Sequence, residues 1–461
     1  MPETPLEIVI LAAGKGSRMK SALPKVLHQV AGKALLQHVI DAALELDPSN
    51  IHIVVGHGKE LVQQAISNEG TDNKIHWIEQ TEQLGTGHAV QQALPEITDD
   101  SNVLILYGDV PLISPTTLGQ LSEAMTGFPL ALLTAFFDDQ TGYGRILHDE
   151  NFEVCGIVEQ KDASPEQREI NEINTGIICA RAKDLKGWLS QINNDNAQEE
   201  YYLTDIVELA YSAGNPISAT HPQSNDEIIG INSRAELAHV ERLKQRQFAE
   251  DLMAEGVTII DPARVDIRGD VTIGTDTILD INCVISGTTT IGNNVRIMPN
   301  CVISNCYIGD NTTVHSHTVL EEATIGNNVN VGPFARIRPG TALADEVRIG
   351  NFVETKKAQL GEGSKVNHLS YVGDSTVGKN TNIGAGVITC NYDGANKHQT
   401  VIGDNVFVGS DSQLVAPVTI ADGATIGAGS TITKDVEQNQ LVISRAKSRH
   451  FDDWQRPVKK K

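Results

Sequence analysis

The stretch TVIGDNVFVGSDSQLVAPVTIADGATIGAGSTI (400–432) places a large aliphatic residue at every sixth position. The same step runs from residue 273 to 303, and shorter runs lie between the two. Neither the helix period of 3.6 nor the strand period of 2 produces a repeat of six. A chain that turns a corner every six residues does, because one aliphatic side chain then points into a prism at each face. The C-terminal part is therefore predicted to be a left-handed parallel β-helix of hexapeptide repeats. Two of its aliphatic runs are Ile273, Leu279, Ile285, Ile291, Ile297, Ile303 and Ile402, Val408, Leu414, Ile420, Ile426, Ile432.

Glycine often follows the aliphatic residue of a repeat directly. Glycine reaches positive φ without steric cost, and a tight corner requires such a backbone. We therefore expect positive φ at Gly274, Gly292, Gly350, Gly403 and Gly427. The alternative, unrelated strands of a β-sandwich, does not explain a period of six over this length.

Composition excludes several classes of function. The 461 residues carry 36 Lys+Arg against 59 Asp+Glu, a formal net charge of -23, which disfavours binding to nucleic acid polymers or anionic membranes. The N-terminal apolar run is too short for a signal peptide, and no stretch approaches a membrane span of about 20 residues. Six scattered cysteines without Cys-x-x-Cys spacing predict a reduced, cytoplasmic protein lacking disulfides and zinc. The chain closes with a basic tail, RPVKKK (456–461).

The first half alternates apolar runs with helical patterns. Strands are predicted at 7–11, 52–56, 102–109 and 129–137, with a helix over 35–46. This alternation predicts a doubly wound, Rossmann-like α/β domain, in which ligands lie at the carboxyl ends of the strands. Ser233 and Glu236 form a capping-box pattern that opens a connecting helix. The predicted domains are thus 1–232, a linker helix at 233–255, and 256–461.

The first group of candidate functional residues follows two of these strands. Gly14 and Gly16 in LAAGKGSRM (11–19) let the backbone approach a phosphate, and Arg18 and Lys25 add two cations. A structural glycine turn is the competing interpretation. Asp109 ends a strongly apolar strand, where a carboxylate suits Mg²⁺; a helix cap is the alternative.

A second group lies in successive coils of the predicted β-helix. Arg338, Lys356, His368, Tyr371 and Asn382 could share one edge of the prism. Beyond them, residues 384–400 interrupt the six-residue step, which indicates an extruded loop. An isolated histidine is more often structural, but cations and a tyrosine nearby favour His368 as a general base.

Taken in order, the motifs resemble one family across nearly the whole chain. LAAGKGSRM with Pro24-Lys25, QLGTGHA (83–89), YGDVP (107–111), GYGR (142–145), GIVEQKDA (156–163) and EINTGI (172–177) resemble the bacterial bifunctional N-acetylglucosamine-1-phosphate uridyltransferase/glucosamine-1-phosphate acetyltransferases. The resemblance implies a homotrimer with UTP, acetyl-CoA, glucosamine 1-phosphate and N-acetylglucosamine 1-phosphate as substrates, and Mg²⁺ as cofactor.

The resemblance also implies roles in the first half. Asp109 and Asn232 bind Mg²⁺, and Lys25 and Arg18 meet the phosphates. Gly144, Glu159 and Asn174 contact the sugar. Tyr107 and Gly108 lie beside the metal ligand. The residues implied to hold the uridine nucleotide are Leu11, Ala12, Ala13, Gly14, Gln80, Gly85 and Thr86.

In the second half the resemblance assigns His368 as general base. Glu354 is a candidate to orient its imidazole. Arg338, Lys356, Tyr371 and Asn382 are implied to hold glucosamine phosphate. The implied acetyl-CoA residues are Ala385, Asn391, Tyr392, Ser410, Ala428 and Arg445. The alternatives are a sugar-nucleotide pyrophosphorylase whose β-helix serves only assembly, and a non-enzymatic scaffold.

Overall fold

The structure is a computed structural model that describes residues 4–14, 16–56, 58–66 and 73–459. It contains two compact units, Met1–Lys244 and Gln245–Lys461. The last two lysines of the basic tail lie outside the described residues.

A mixed sheet with helices on both faces forms the first unit. Its strands run in the order β11-β7-β10-β6-β1-β4-β5, with β8 paired to β10 and β9 paired to β8. β1 pairs in parallel with β4 and β6, whereas β10 is antiparallel to β6 and β7. The strands are β1 Leu6–Ala12, β2 Gln29–Val30, β3 Lys33–Ala34, β4 Asn50–Val55, β5 Ile75–Glu79, β6 Asn102–Tyr107, β7 Leu130–Phe136, β8 Gly144–His148, β9 Val154–Val158, β10 Glu172–Arg181 and β11 Ile217–Thr220. The helices are α1 Leu35–Leu44, α2 Lys59–Ala65, α3 Thr86–Ala93, α4 Pro115–Glu123, α5 Pro165–Arg168, α6 Ala182–Leu189, α7 Asp205–Ser212 and α8 Arg234–Ala254.

The central strands are buried on both faces, which explains their continuous aliphatic sequences. Ile8 and Ile10 of β1 belong to one core cluster and Val9 and Leu11 to another. The carboxyl ends of β1, β4 and β6 meet, since Leu11 pairs with Tyr107 and Ala12 with Val55. The predicted Rossmann-like domain is confirmed, and this edge of the sheet positions the first site.

Helix α8 begins with the predicted capping box. Glu236 accepts hydrogen bonds from the backbone N–H groups of Asn232 and Ser233, and the Ser233 hydroxyl accepts one from the Glu236 N–H. The division between the two units falls inside this helix. Among the described residues, no helix combines the length and apolar character that crossing a bilayer demands.

The second unit is a parallel β-helix. Each strand pairs in parallel with one in the next coil, usually 17 or 18 residues on, as Val265 with Cys283 and Ile297 with Val314. One face of the prism is a sheet made of β12, β15, β18, β21, β24, β27, β29, β31, β34, β37 and β39. The strands of the other two faces are hydrogen-bonded into a single 17-stranded sheet. The strands are β12 Thr258–Ile259, β13 Val265–Arg268, β14 Val271–Ile273, β15 Ile278–Leu279, β16 Cys283–Ser286, β17 Thr289–Ile291, β18 Arg296–Ile297, β19 Val302–Ser304, β20 Tyr307–Ile308, β21 Thr313–Val314, β22 Val319–Glu321, β23 Thr324–Ile325, β24 Asn330–Val331, β25 Arg336–Ile337, β26 Ala342–Leu343, β27 Arg348–Asn351, β28 Glu354–Leu360, β29 Lys365–His368, β30 Tyr371–Val377, β31 Asn382–Ile383, β32 Ile388–Cys390, β33 Thr400–Ile402, β34 Phe407–Val408, β35 Gln413–Val415, β36 Val418–Ile420, β37 Thr425–Ile426, β38 Thr431–Ile432 and β39 Leu441–Val442.

Aliphatic side chains spaced six apart fill the interior of this prism, as predicted. Members of both long runs, such as Ile285, Ile303, Val408 and Ile426, are fully buried in one continuous core. The β-helix prediction is therefore confirmed.

The expectation of positive φ at the glycines after these residues is wrong. Gly274, Gly292, Gly350, Gly403 and Gly427 are not among the positive-φ positions of the described residues, and the corners use other residues, including Asn294, Asn311, Asn328 and Asn405. The glycines are needed for a different reason, which is close approach of the next coil. A Cβ on Gly350 would lie 1.9 Å from the Asn367 carbonyl oxygen.

The extruded loop is shorter than predicted. Strand β32 continues the coil to Cys390, and β33 resumes it at Thr400. Across this segment Thr376 pairs with Val401, 25 residues on, so the extra chain is 391–399 rather than 384–400. The loop is closed by a bridge between Tyr392 and Lys397.

Candidate functional sites

A cavity of about 510 Å³ opens at the carboxyl ends of β1 and β6. Most residues predicted for the nucleotide line it, namely Leu11, Ala12, Ala13, Gly14, Lys25, Gln80, Gly85, Thr86, Tyr107, Asp109 and Asn232. Val26, Gln83, Ala89 and Glu200 also line it and were not predicted. Gln83 lay inside a quoted motif, whereas no sequence signal marked Glu200.

Three of the predicted polar residues meet inside this cavity. The Lys25 ammonium donates to an Asp109 carboxylate oxygen and, at 3.0 Å, to the Asn232 side-chain oxygen. The Ile231 N–H donates to the Asp109 carbonyl at 2.9 Å, which fixes Asn232 beside the end of β6. Asp109 and Asn232 lie 84 and 207 positions after Lys25 in the sequence, and both contact its ammonium group.

The donor set at this point fits a hard divalent cation. Asp109 and Asn232 present a carboxylate and an amide oxygen to the same positive charge, and Mg²⁺ prefers one or two such oxygens together with phosphate and water. Among the described residues, no group of three His, Cys, Asp or Glu forms an all-protein metal cluster. A metal here would consequently depend on a phosphate ligand to complete its shell.

Backbone geometry shapes the wall of the cavity at Gly85. Gly85 has φ of 116°, and a Cβ there would lie 2.5 Å from the Tyr201 carbonyl oxygen. Hydrogen bonds hold Tyr201 on both sides of Gly85. The Tyr201 N–H donates to the Leu84 carbonyl, and the Gly87 N–H donates to the Tyr201 carbonyl. The Thr86 hydroxyl accepts from the Leu203 N–H at 3.1 Å. Glycine is therefore required at position 85.

Tyr107 lies beside Asp109, the predicted metal ligand, as expected. Its ring lies against the backbone of Gly176. Burial, followed by the charges of Glu159 and Asp109, raises the pKa of the Tyr107 hydroxyl, which also hydrogen-bonds Thr86. The hydroxyl stays neutral and serves as a hydrogen-bonding group rather than a base.

The three predicted sugar contacts lie together, Gly144 on β8, Asn174 on β10 and Glu159 directly after β9. Asn174 pairs with Gly144 across β10 and β8, and a Cβ on Gly144 would lie 3.5 Å from the Glu159 carboxyl group. Burial raises the pKa of Glu159, although the Thr204 hydroxyl donates to it at 3.1 Å. Close by, burial and then the charge of Glu208 raise the pKa of Asp205 to about 6.

The residues predicted in the first half that do not line the cavity are Gly16, Arg18, Gly108, Gly144, Glu159 and Asn174. Arg18 is exposed on the short helical turn Ser17–Met19. Gly108 is buried, and its N–H donates to the Leu11 carbonyl at 3.0 Å, so it joins β6 to β1.

In the second unit, Arg338, Lys356 and Tyr371 project from neighbouring coils. Lys356 pairs with Gly373, two residues after Tyr371, and Arg338 donates its backbone N–H to Thr355. A side-chain contact with Lys397, followed by the charges of Lys397 and Arg338, lowers the pKa of Lys356. Three converging cations favour a phosphate ligand.

His368 ends β29 at the next corner of the prism. Its Nδ1 lies 3.1 Å from the Asn351 side-chain oxygen, so Nδ1–H donates and Nε2 is left as the basic nitrogen. The expectation that Glu354 orients this imidazole is wrong. The Glu354 carboxylate instead accepts from the Arg338 guanidinium at 2.7 Å.

Asn391 and Tyr392 open the extruded loop. The Asn391 amide donates to Asp374 and, at 3.4 Å, to the Tyr371 hydroxyl. These contacts hold the loop beside the cationic cluster, defined as Arg338, Lys356 and Lys397. The Tyr392 hydroxyl donates to the Gly394 carbonyl at 2.6 Å, and its side chain is exposed. A cavity of about 270 Å³ beside the loop is lined by Lys357, Asp374, Lys397, His398 and Gln399.

The acyl edge, defined as the row of His368, Ala385, Ser410 and Ala428, runs along one corner over successive coils. Backbone hydrogen bonds link its coils, from Gly386 to His368, Asp411 to Ala385 and Gly429 to Ser410. The Arg445 guanidinium donates to the Ala428 carbonyl at 2.8 Å. A long, narrow ligand beginning at His368 would meet each of these residues in turn.

Asn382 stands apart from this group within one chain. It lies in β31, where it pairs with Lys365 and Phe407. It comes three residues before Ala385, which is the residue of the same coil that lies in the row with His368. It is therefore on a different face from Arg338 and Lys356.

An apolar column, defined as Phe334, Phe352 and Leu369, occupies the corner beside His368. The two rings stack with centroids 5.3 Å apart, and His317 stacks on Phe334 at 4.8 Å. All three members of the column have positive φ, and their side chains are exposed by 47%, 54% and 65%. Bulky residues in this conformation are costly, by about 1–2 kcal/mol each, and exposed apolar patches commonly mark interfaces.

Known families match both halves of the chain. Residues 8–164 match the MobA-like NTP transferase domain. Residues 254–355 match the EIF2B subunit epsilon LbH domain, and residues 399–434 match the bacterial transferase hexapeptide (six repeats). The chain thus joins a nucleotidyltransferase domain to a region of hexapeptide repeats resembling those of acyltransferases.

Two solved structures align with about half of the chain. UDP-glucose pyrophosphorylase complexed with UDP-glucose is 16% identical, with 53% of this chain and 99% of that chain covered and a TM-score of 0.45. HddC from Yersinia pseudotuberculosis complexed with GMP-PN is 20% identical, with 52% and 99% covered and a TM-score of 0.40.

Proposed function

We propose that the chain is a bifunctional enzyme that makes UDP-N-acetylglucosamine, a precursor of the bacterial cell wall. Residues 256–461 would transfer an acetyl group from acetyl-CoA to glucosamine 1-phosphate. Residues 1–232 would then transfer a uridylyl group from UTP to the product, with release of pyrophosphate, and 233–255 would connect the two. The convergence of Lys25, Asp109 and Asn232 in the first cavity is the observation that carries the nucleotidyl half.

In the first reaction site, a phosphate oxygen of the sugar attacks the α-phosphorus of UTP, and the bond to the bridging oxygen of pyrophosphate breaks. Such chemistry depends on positioning and charge neutralisation rather than on a side-chain nucleophile. Lys25 would neutralise phosphate charge, and Gly144, Glu159 and Asn174 would orient the sugar. Asp109 and Asn232 would hold Mg²⁺, which when bound supplies charge neutralisation at the phosphates.

In the second reaction site, the amine of glucosamine 1-phosphate attacks the thioester carbonyl of acetyl-CoA. His368 Nε2 accepts the amine proton, the C–S bond breaks, and coenzyme A leaves as the thiol once protonated. Asn351 supports this role because it holds the other ring nitrogen at 3.1 Å. Arg338, Lys356 and Tyr371 would hold the sugar phosphate, and the acyl edge would carry coenzyme A.

The apolar column supports assembly into a homotrimer with the coils side by side. A second copy packed on Phe334, Phe352 and Leu369 would cover exposed apolar surface next to His368. It would also supply Asn382, which one chain does not bring to its own cationic cluster. The acetyl site would then combine residues of two copies.

A paired assay tests the proposal. Purified protein is given UTP, Mg²⁺ and N-acetylglucosamine 1-phosphate while pyrophosphate is measured, and separately acetyl-CoA and glucosamine 1-phosphate while free thiol is measured. Both signals are expected. Pyrophosphate without thiol release would favour the alternative, in which the β-helix serves only assembly.

A further inference from the structure

The Gln80 side chain in the wall of the first cavity is held in one orientation. Its Nε2 lies 3.2 Å from the Gly85 carbonyl oxygen and 3.0 Å from His88 Nδ1. A carbonyl oxygen only accepts hydrogen bonds, so the end of the Gln80 amide that faces Gly85 must be the NH₂ group. The residue is 3% exposed, which leaves little room for another rotamer.

With the NH₂ group engaged, the free end of Gln80 is its oxygen. Within the described part of the chain this oxygen makes no hydrogen bond, and it is not a fully buried polar atom that lacks a partner. Gln80 lines the cavity and its amide nitrogen is turned to Gly85 and His88, so the oxygen is the end of the amide left for a ligand there. The cavity wall therefore offers a fixed hydrogen-bond acceptor at this point.

A fixed acceptor discriminates between pyrimidine bases. Uracil carries a hydrogen on ring nitrogen N3, whereas N3 of cytosine is itself an acceptor. A site built to receive a donor rejects the analogue that lacks it, because the buried acceptor is then left unpaired. If the Gln80 amide were reversed, its NH₂ group would face N3 and the preference would invert.

The imidazole of His88 is a second contact that holds the Gln80 amide in the orientation set by the Gly85 carbonyl. Its Nδ1 accepts from the Gln80 NH₂ group, which requires the hydrogen of the neutral ring to be on Nε2. The Gln92 amide nitrogen lies 3.2 Å from both His88 Nε2 and the His88 carbonyl, and it donates to the carbonyl. Gln92 therefore does not compete for the single acceptor of the ring.

We propose that His88 is a positioning residue that, together with the Gly85 carbonyl, keeps the oxygen of Gln80 facing the base and thereby favours uracil over cytosine. This inference rests on the proposed uridylyl transfer. His88 does not line the cavity, so its expected contribution is to base selection and not to the chemical step.

Two nearly isosteric substitutions test the proposal. His88→Asn keeps an acceptor close to the position of Nδ1, whereas His88→Leu removes it with little change in volume. The measured quantity is the ratio of kcat/KM for UTP to kcat/KM for CTP, from pyrophosphate release. Gln92→Met, which alters the group beside the other ring nitrogen, is the matched control.

We expect the Asn variant and the Gln92→Met control to keep the wild-type ratio, and the Leu variant to lower it by about 10-fold. A merely structural role of His88 would reduce turnover of both nucleotides in step and leave the ratio unchanged. Equal ratios in the Asn and Leu variants would overturn the inference while leaving uridylyl transfer intact. A wild-type protein that does not use UTP would instead overturn the proposed function, and the inference with it.

Discussion

The Lys25 ammonium and the Asp109 carboxylate, predicted as a phosphate contact and a metal ligand, are in direct contact with each other. Asn232 shares the same ammonium at 3.0 Å. For Lys25 to meet a phosphate, it must exchange these oxygens for phosphate oxygens. Binding of a metal-bound nucleotide would provide both partners at once, since the metal satisfies the oxygens that the lysine leaves.

Asp109→Ala should nearly abolish pyrophosphate release and leave acetyl transfer intact. The substitution removes a carboxylate that one cation already contacts, and the candidate acetyl residues belong to the other compact unit. Both rates are measured on the same preparation, with thiol release as the internal control. If a folded mutant lost both activities, the separation into two sites would be wrong.

His368→Ala should have the opposite effect. Loss of a general base costs about 10²–10⁴-fold, mainly in kcat, while KM for glucosamine 1-phosphate changes little. Asn351→Leu should cause a smaller loss of kcat, because the imidazole remains but its orientation and tautomer are no longer held. Near-normal acetyl transfer in His368→Ala would remove His368 from this role.

Mixed oligomers test whether the acetyl site is shared between copies. His368→Ala and Arg445→Ala chains, each inactive in acetyl transfer, are denatured together and refolded. Some sites in the mixed assemblies should then hold both wild-type residues, and part of the activity should return. Each mutant refolded alone is the control. Absence of recovery in assemblies verified to be mixed would show that both residues come from one chain.

Asp205 should make the first unit less stable as pH rises. Its pKa is raised to about 6, so between about pH 4 and 6 the folded chain keeps a proton that the unfolded chain has lost. Stability falls through that window and stays reduced above it. Asp205→Asn should stabilise the protein at pH 7.5 by roughly 1–2 kcal/mol, discounted for partial exposure, and by less at pH 4.5. Thermal unfolding at both pH values measures this, with exposed Glu123→Gln as control. A gain that grew on acidification would contradict the assignment.

Gly350→Ala should destabilise the β-helix by about 3 kcal/mol, since the new Cβ would lie 1.9 Å from a backbone oxygen of the next coil. Gly119→Ala is the matched control because nothing lies within 4 Å of its Cβ, and in helix α4 it should be neutral or stabilising. Equal unfolding temperatures for the two variants would refute the close-approach explanation.

The sequence predicted both folds because burial imposes periodicity, and the six-residue step has one simple geometric solution. The role expected for the glycines of the repeats was wrong. A glycine shows that a side chain is not tolerated, but the sequence does not tell whether a positive φ or the close approach of a neighbouring coil is the reason. Glu354 was misplaced for a related reason. Coil register shows which residues share a face, but the choice between Arg338 and His368 as partner depends on side-chain direction. Glu200 escaped notice because it approaches the cavity only through the backbone pairing of Tyr201.

The two ends of the prism differ in how well they are covered. Because each coil contacts only its neighbours, local unfolding of the β-helix begins at an uncovered end and proceeds coil by coil. At the N-terminal end, the Gln245 side chain exchanges two hydrogen bonds of 2.7 Å with the backbone of Ile267, and Ala249 and Leu252 cover the interior. At the other end the last strand is followed by exposed chain from residue 443. Hydrogen exchange should therefore be fastest in the final coils, and warming would release Arg445 before it disturbed His368.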